Sequence, residues 1–194
     1  MVTPDSILKY WLDEKGPEAW YAGGEALDAE IRERFSEAWE ELMAGSFGLW
    51  LTYPSGALAY IILSDQFPRN MFRSEAKAFA SDKAARAAAK AAISRDWDLK
   101  IDEPARQFFY LPLMHSENLS DQDRAVRLIC TRMRETGQPN LVHARAHREV
   151  IRKHGRFPFR NEALGRKSTG AESTFLANGG YMAIVNELRS ATAA

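Results

Sequence analysis

From Leu27 to Leu42 the apolar residues Leu27, Ile31, Phe35, Ala38, Trp39 and Leu42 recur at helical spacing, with Glu and Arg filling the positions between them. That spacing lays one apolar stripe along a helix. A strand, whose side chains alternate between faces, would scatter it. Gly45 marks its end. The same punctuation returns along the chain. Thr3-Pro4 reads as an N-cap and first helical residue, with Ile7, Leu8, Trp11 and Leu12 on one face and Gly16-Pro17 as a stop. Gly56 to Gln66 is apolar on almost every side until Ser64 and predicts a central buried helix. The alanine-rich stretch from Ser74 to Ile93 predicts a helix broken at Ser81-Asp82, where either side chain can cap a new start. Asp102 ahead of Glu103-Pro104 signals another start, with Pro112 as its kink or end. Ser120 with Asp123 opens a helix running to Gly137, Pro139 opens one running to Gly155, and Thr169 with Glu172 forms a capping box. Strand punctuation does not recur. The expectation is an all-α fold, a single compact domain of about eight or nine helices over residues 1–180. Residues 181–194 are expected to be a short amphipathic helix or a frayed tail.

Composition narrows the class further. With 194 residues and 45% hydrophobic content, the chain can bury a sizeable core. Acidic and basic residues balance at 26 each, which argues against the broad basic footprint of a nucleic-acid binder. The longest apolar run, Ala57 to Leu63, falls far short of the roughly 20 residues that span a bilayer. Asp5, Lys9, Asp13 and Glu14 interrupt any signal-peptide core. No membrane association is expected. A lone Cys130 builds no disulfide framework, and the expected setting is the reducing cytoplasm.

The chemistry concentrates in two Phe-Pro signatures, Asp65-Gln66-Phe67-Pro68-Arg69-Asn70 and Gly155-Arg156-Phe157-Pro158-Phe159-Arg160-Asn161. Each sets an aromatic-proline pair beside arginine and asparagine, side chains that brace backbone and bind carboxylate or phosphate oxygens. If the buried helix ends near Phe67, Asp65 lies in its last turn, where the helix dipole disfavours another carboxylate and demands a nearby cation. Arg69 and Arg73 follow at once. Two readings fit: an internal network that locks loops, or an arginine excess left open to an anion.

The histidines carry weaker signals. In Tyr110-Leu111-Pro112-Leu113-Met114-His115-Ser116-Glu117, His115 and Glu117 can form a proton-transfer pair, although neighbours in sequence cannot make a nucleophilic triad on a helix. His143 and His147 share a helix face, but Ala144-Arg145-Ala146 between them lacks the glutamate of a zinc-protease helix, so neither a metal nor a cofactor is expected. His154, before Gly155, suits the negative end of a helix. Gly165-Arg166-Lys167-Ser168-Thr169 has the residue order of a phosphate loop without its upstream glycine or strand, and ordinary capping explains it as well.

Taken together, Ile7-Leu8-Lys9-Tyr10-Trp11, the Asp65 signature, the Tyr110 to Glu117 segment, and Gly155-Arg156-Phe157-Pro158 through Leu164-Gly165-Arg166 resemble the DUF924 family of bacterial proteins. The resemblance runs from Ile7 to about Leu176. It implies an all-helical fold similar to tetratricopeptide-repeat proteins and carries no established activity. The chain departs from the family at two positions: Phe159 stands where the family usually has histidine, and His154 stands where an aromatic is common.

The working hypothesis is a polar pocket. Arg69, Arg73, Arg156, Arg160 and Arg166, with Gln66, Asn70 and Asn161, would bind a small phosphate- or carboxylate-bearing ligand. Asp65 would orient the arginines, and His115, Glu117 and His147 would line the opening. Binding and proton transfer both suit these residues, so no reaction is assigned. The competing class is a helical-repeat scaffold for a protein partner, presenting a groove lined by Trp20, Trp39, Trp50 or Tyr53.

Overall fold

The computed structural model describes residues 1–193, and among them the chain is helical with no strand. It forms two compact units, Met1–Pro112 and Leu113–Ala194.

The first unit opens with α1, Pro4–Leu8. The Thr3 hydroxyl accepts the Ser6 N–H at 3.2 Å and the Ser6 hydroxyl accepts the Thr3 N–H at 3.0 Å, so each satisfies an amide the helix leaves open. The chain continues as a π-helical stretch, Lys9–Lys15, that buries the neighbours Tyr10 and Trp11. Gly16-Pro17 ends that run as expected, and a new short helix follows at once. Gly16 turns at a φ of 67°, and Pro17 sits in the first turn of α2, Gly16–Trp20, where its missing N–H costs nothing. Helix α3, Glu25–Met43, buries the stripe Ile31, Phe35, Ala38, Trp39 and Leu42.

Helix α4, Pro54–Ile61, runs through a buried π-helical turn, Ile62–Gln66, into α5, Phe67–Met71. The buried helix therefore does not end near Phe67, and Asp65 lies inside a helical run rather than in a last turn. Pro68 cannot donate to the Ser64 carbonyl four residues back. Ser81 Oγ fills that gap, donating to Ser64 O at 2.6 Å while accepting Trp39 Nε1–H at 3.0 Å. Ser81, expected as a cap, instead repairs the proline's defect, and no side chain caps α6, Asp82–Ser94. The break at Ser81-Asp82 stands as expected. Phe67 anchors the core, 4.6 Å from Phe35 and 5.3 Å from Trp11 between ring centroids.

The start expected at Asp102 gives a 3-10 turn, Ala105–Phe109, rather than an α-helix. Phe108, Phe109 and Tyr110 are all fully buried. A run buried on every side has no solvent face for an amphipathic helix, and Pro112 falls within the short α7, Leu111–Met114.

In the second unit, α8, Leu119–Arg132, starts ahead of the expected cap at Ser120 and ends short of the expected Gly137. Its cap is Asn118, whose Oδ1 accepts the Ser120 N–H at 2.9 Å and the Asp121 N–H at 3.4 Å. Helix α9, Gln138–His154, carries the expected Pro139 in its first turn and stops at the expected Gly155, whose φ is 70°. Thr169 and Glu172 form the expected box on α10, Gly170–Ala177. Helix α11, Gly180–Ala193, contributes Ile184 and Val185 to a core shared with Ala146, Val150, Ile151 and Phe157. No helix among the described residues is long and apolar enough to cross a membrane.

Candidate functional site

The candidate residues divide between the units. In the first, Asp65 is fully buried and its carboxylate lies 3.6 Å from Arg69 Nη2. Gln66 Nε2 donates to its other oxygen at 2.5 Å. Arg69 also donates to Asp82 Oδ1 through both terminal nitrogens at 3.0 Å and to the Asp65 carbonyl at 2.7 Å. This guanidinium is tied to two carboxylates and a carbonyl, and those neighbours overcome the burial that would otherwise ease its deprotonation. The cation demanded by Asp65 is thus Arg69, one turn away.

Arg73 and Asn70 face a different acid. Arg73 Nε and Nη2 clamp Asp28 at 2.7 and 2.9 Å, and Asn70 Nδ2 donates to the same carboxylate at 2.8 Å. Burial pushes the Asp28 carboxyl up, but the bonds from Arg73 and Asn70 outweigh it and hold it below the usual range. A pocket of about 650 Å³ opens here, lined by Gly23, Gly24, Glu25, Asp28, Arg32, Asn70 and Arg73 among others. Gly24 precedes α3 with φ of 136° and leaves that helix without a side-chain cap. Gly23 has φ of 64°, and a Cβ there would come within 3.3 Å of Arg73 Nη2. The positive φ favours glycine at both positions, and at Gly23 a Cβ would also crowd the Arg73 guanidinium. Arg32 donates Nε to the Met71 carbonyl at 2.9 Å and a hydrogen of Nη2 to the same oxygen, which leaves Nη1 free of these bonds.

In the second unit the second Phe-Pro signature forms a network of carboxylates and guanidinium groups. Glu117 takes Arg166 in a two-point grip at 2.7 and 2.9 Å and accepts the Phe157 N–H at 2.8 Å. Burial opposes its ionisation, yet Arg166 and the Phe157 amide keep its pKa low. Arg166 Nε donates to Asn161 Oδ1 at 3.0 Å, and Asn161 Nδ2 donates to Ser168 Oγ at 3.0 Å. Arg156 clamps Glu172 at 2.6 and 2.8 Å. That bond, reinforced by the Thr169 N–H, lowers the Glu172 pKa to about 2. Arg160 is buried with its guanidinium 4.5 Å over the Phe157 ring.

The histidines lie on α9 and beside it. His147 Nδ1–H donates to the His143 carbonyl at 2.8 Å, and its ring packs 5.3 Å from Phe157, 4.6 Å from Tyr181 and 6.3 Å from His115. Burial, with the nearby His115 second, pushes its pKa down to about 3. His143 Nδ1 lies 2.5 Å from Tyr181 Oη, and burial lowers its pKa as well. A pocket of about 480 Å³ beside His147 is lined by Phe159, Leu176, Gly179, Gly180, Tyr181 and Met182.

Sequence reasoning missed Asp28, Arg32, Asp82, Tyr181 and the glycine pair. Gly23-Gly24 ahead of a strong helix was the available signal. Glu172 was read only as a cap partner, although it also holds Arg156. Of the aromatics proposed for a scaffold groove, Trp20, Trp39 and Trp50 are buried and Tyr53 is exposed.

A solved structure described as a protein of unknown function, ATU0120, from Agrobacterium tumefaciens superposes with a TM-score of 0.83 at 36% identity. The match covers 89% of this chain and 96% of that one. No curated protein matches. The family described as "Bacterial protein of unknown function (DUF924)" matches residues 7–180, nearly the whole chain, and the protein belongs to that family.

Proposed function

We propose that the protein binds a small anionic ligand, bearing phosphate or carboxylate, in the pocket beside Gly23-Gly24. The observation that supports this reading is the presence of two arginines, Arg32 and Arg73, in one pocket at the uncapped start of α3. Arg32 is held by a carbonyl rather than a carboxylate and keeps Nη1 for a ligand. Asp28 offsets one positive charge but also holds the Arg73 guanidinium in place. Recognition there rests on directed N–H donors, including the first amides of α3, more than on net charge. Arg69, Arg156 and Arg166, each paired with a carboxylate, would serve as bracing for the two signatures. A cytoplasmic setting suits the exposed, free Cys130.

The test is thermal unfolding with inorganic phosphate, against sodium chloride at equal ionic strength. A ligand at tenfold its Kd adds about 1.4 kcal/mol of apparent stability. The wild type should be stabilised by phosphate, and Arg32→Gln should abolish that stabilisation, measured against the variant's own melting temperature in chloride. A phosphate effect that survives Arg32→Gln and Arg73→Gln refutes the reading.

The alternative is a tetratricopeptide-like interaction scaffold. Its best support is a groove of about 400 Å³ along α6, lined by Ala84, Ala87, Ala88 and Ala91 with Leu51 and Trp97. A flat response across phosphates, carboxylates and nucleotides would favour it.

A further inference from the structure

The pocket beside His147 differs in chemistry from the one at Arg73. Its walls are aromatic and aliphatic, and Phe159, Leu176 and Met182 expose 44%, 40% and 48% of their surface around it. Single exposed apolar residues are ordinary. Three that rim one concavity mark a surface where apolar area waits to be covered. At about 480 Å³ the space lies in the range of small-molecule sites.

One polar group among the lining residues has a fixed character. A backbone carbonyl only accepts, so the 2.8 Å bond from His147 to the His143 carbonyl requires the proton on Nδ1. Three groups hold the ring in that pose: Phe157 meets it edge-on at 84°, Tyr181 lies 4.6 Å away, and His115 packs at 6.3 Å. Nε2 then carries a lone pair and no hydrogen. The neighbours keep it so, because His115, Arg160 and His143 all oppose a positive charge on the ring. The result is a rigid hydrogen-bond acceptor set in an aromatic wall.

We infer that this pocket binds a small, uncharged aromatic molecule bearing a hydroxyl, whose O–H donates to His147 Nε2 while its ring packs against Phe159 and Tyr181. Ring contacts of this kind add to the burial of apolar area. A carboxylate would bring a second acceptor to that lone pair, and the His147 ring would offer it no donor at Nε2. A protonated amine would meet the surrounding positive groups. The neutral phenolic class satisfies both the wall and the acceptor.

The probes are 4-methylphenol and its methyl ether, 4-methylanisole, which share shape and differ in the single donor. Titration of the full chain is followed by the imidazole nitrogen resonances of His147 and by the backbone amides of Gly179, Gly180 and Tyr181. The expected result is saturable binding of 4-methylphenol about tenfold tighter than the ether, the worth of one buried hydrogen bond. The Nε2 resonance should shift on binding the phenol alone. His147→Phe should erase the preference. Phe159→Ala, at an exposed position that leaves the core intact, should weaken both probes and keep the preference. Equal affinity for the two probes, no binding of either, or a preference that persists in His147→Phe overturns the inference.

Discussion

Replacing His147 with Phe tests how strongly its surroundings exclude a proton. In the unfolded chain its imidazole titrates near 6.5, and in the folded protein burial and the neighbouring positive groups lower that to about 3. A depressed histidine pKa means that its contribution to stability is intact above about 6.5 and declines as the pH falls toward the folded value. Between pH 7 and pH 5 the unfolded imidazole takes up its proton while the folded one does not, which removes about 2 kcal/mol of stability. That figure holds for any folded value below about 4, so it does not depend on the depth of the depression. His147→Phe eliminates this component, and its unfolding free energy should fall by about 2 kcal/mol less than the wild type's over the same pH step. The remaining pH dependence is common to both proteins and largely cancels in the difference. The assay needs a probe in the right place: all five tryptophans lie in the first unit, whereas α9 lies in the second. Urea unfolding should instead be followed by the amide resonances of Val150 and Ile184, which lie in the core beside α9 and α11. Identical pH slopes for the two proteins, or a His147 imidazole that titrates near 6.5 in the folded state, would refute the reasoning.

Three further outcomes follow from the hydrogen-bond networks. Asp65→Ala leaves Arg69 with Asp82 as its remaining carboxylate beside a fully buried gap and should cost about 3–5 kcal/mol in urea unfolding of the first unit; a loss below about 1 kcal/mol would show that Asp82 suffices. Ser81→Ala strands both the Ser64 carbonyl opposite Pro68 and the Trp39 indole N–H, and should cost about 2 kcal/mol, read by tryptophan fluorescence during unfolding. Glu172→Gln should be less stable than the wild type at pH 7. Because the folded Glu172 pKa is depressed to about 2, that deficit should close as acidification passes from the ordinary glutamate range toward 2, as thermal melts across that window will show.

The helices were legible because each depends on its own residues. The α3 stripe, the Thr3 and Thr169 caps, the Pro139 start and the Gly155 stop are local facts, settled by the spacing of side chains and by the backbone each residue tolerates. The misreadings arose where a distant group completed a local defect. Pro68 looked like a terminus because no nearby residue supplies the bond it cannot make. Ser81 supplies it from 17 positions along the chain, and the helical run goes on. The same holds for the candidate sites. The sequence marked Arg73, Asn70, Glu117 and Arg166 as residues with bonds to make and left open which partners they would find.

Those partners come from folding. Asp28 reaches Arg73 across 45 residues, and Glu117 reaches Arg166 across 49, distances over which no periodicity or motif carries information. The family, the helical class and the residue types suited to anion binding follow from the chain's own order. Which guanidinium groups are neutralised, which keep unused donors, and which histidine nitrogen bears the lone pair follow only from packing, because charge and proton placement depend on neighbours in space.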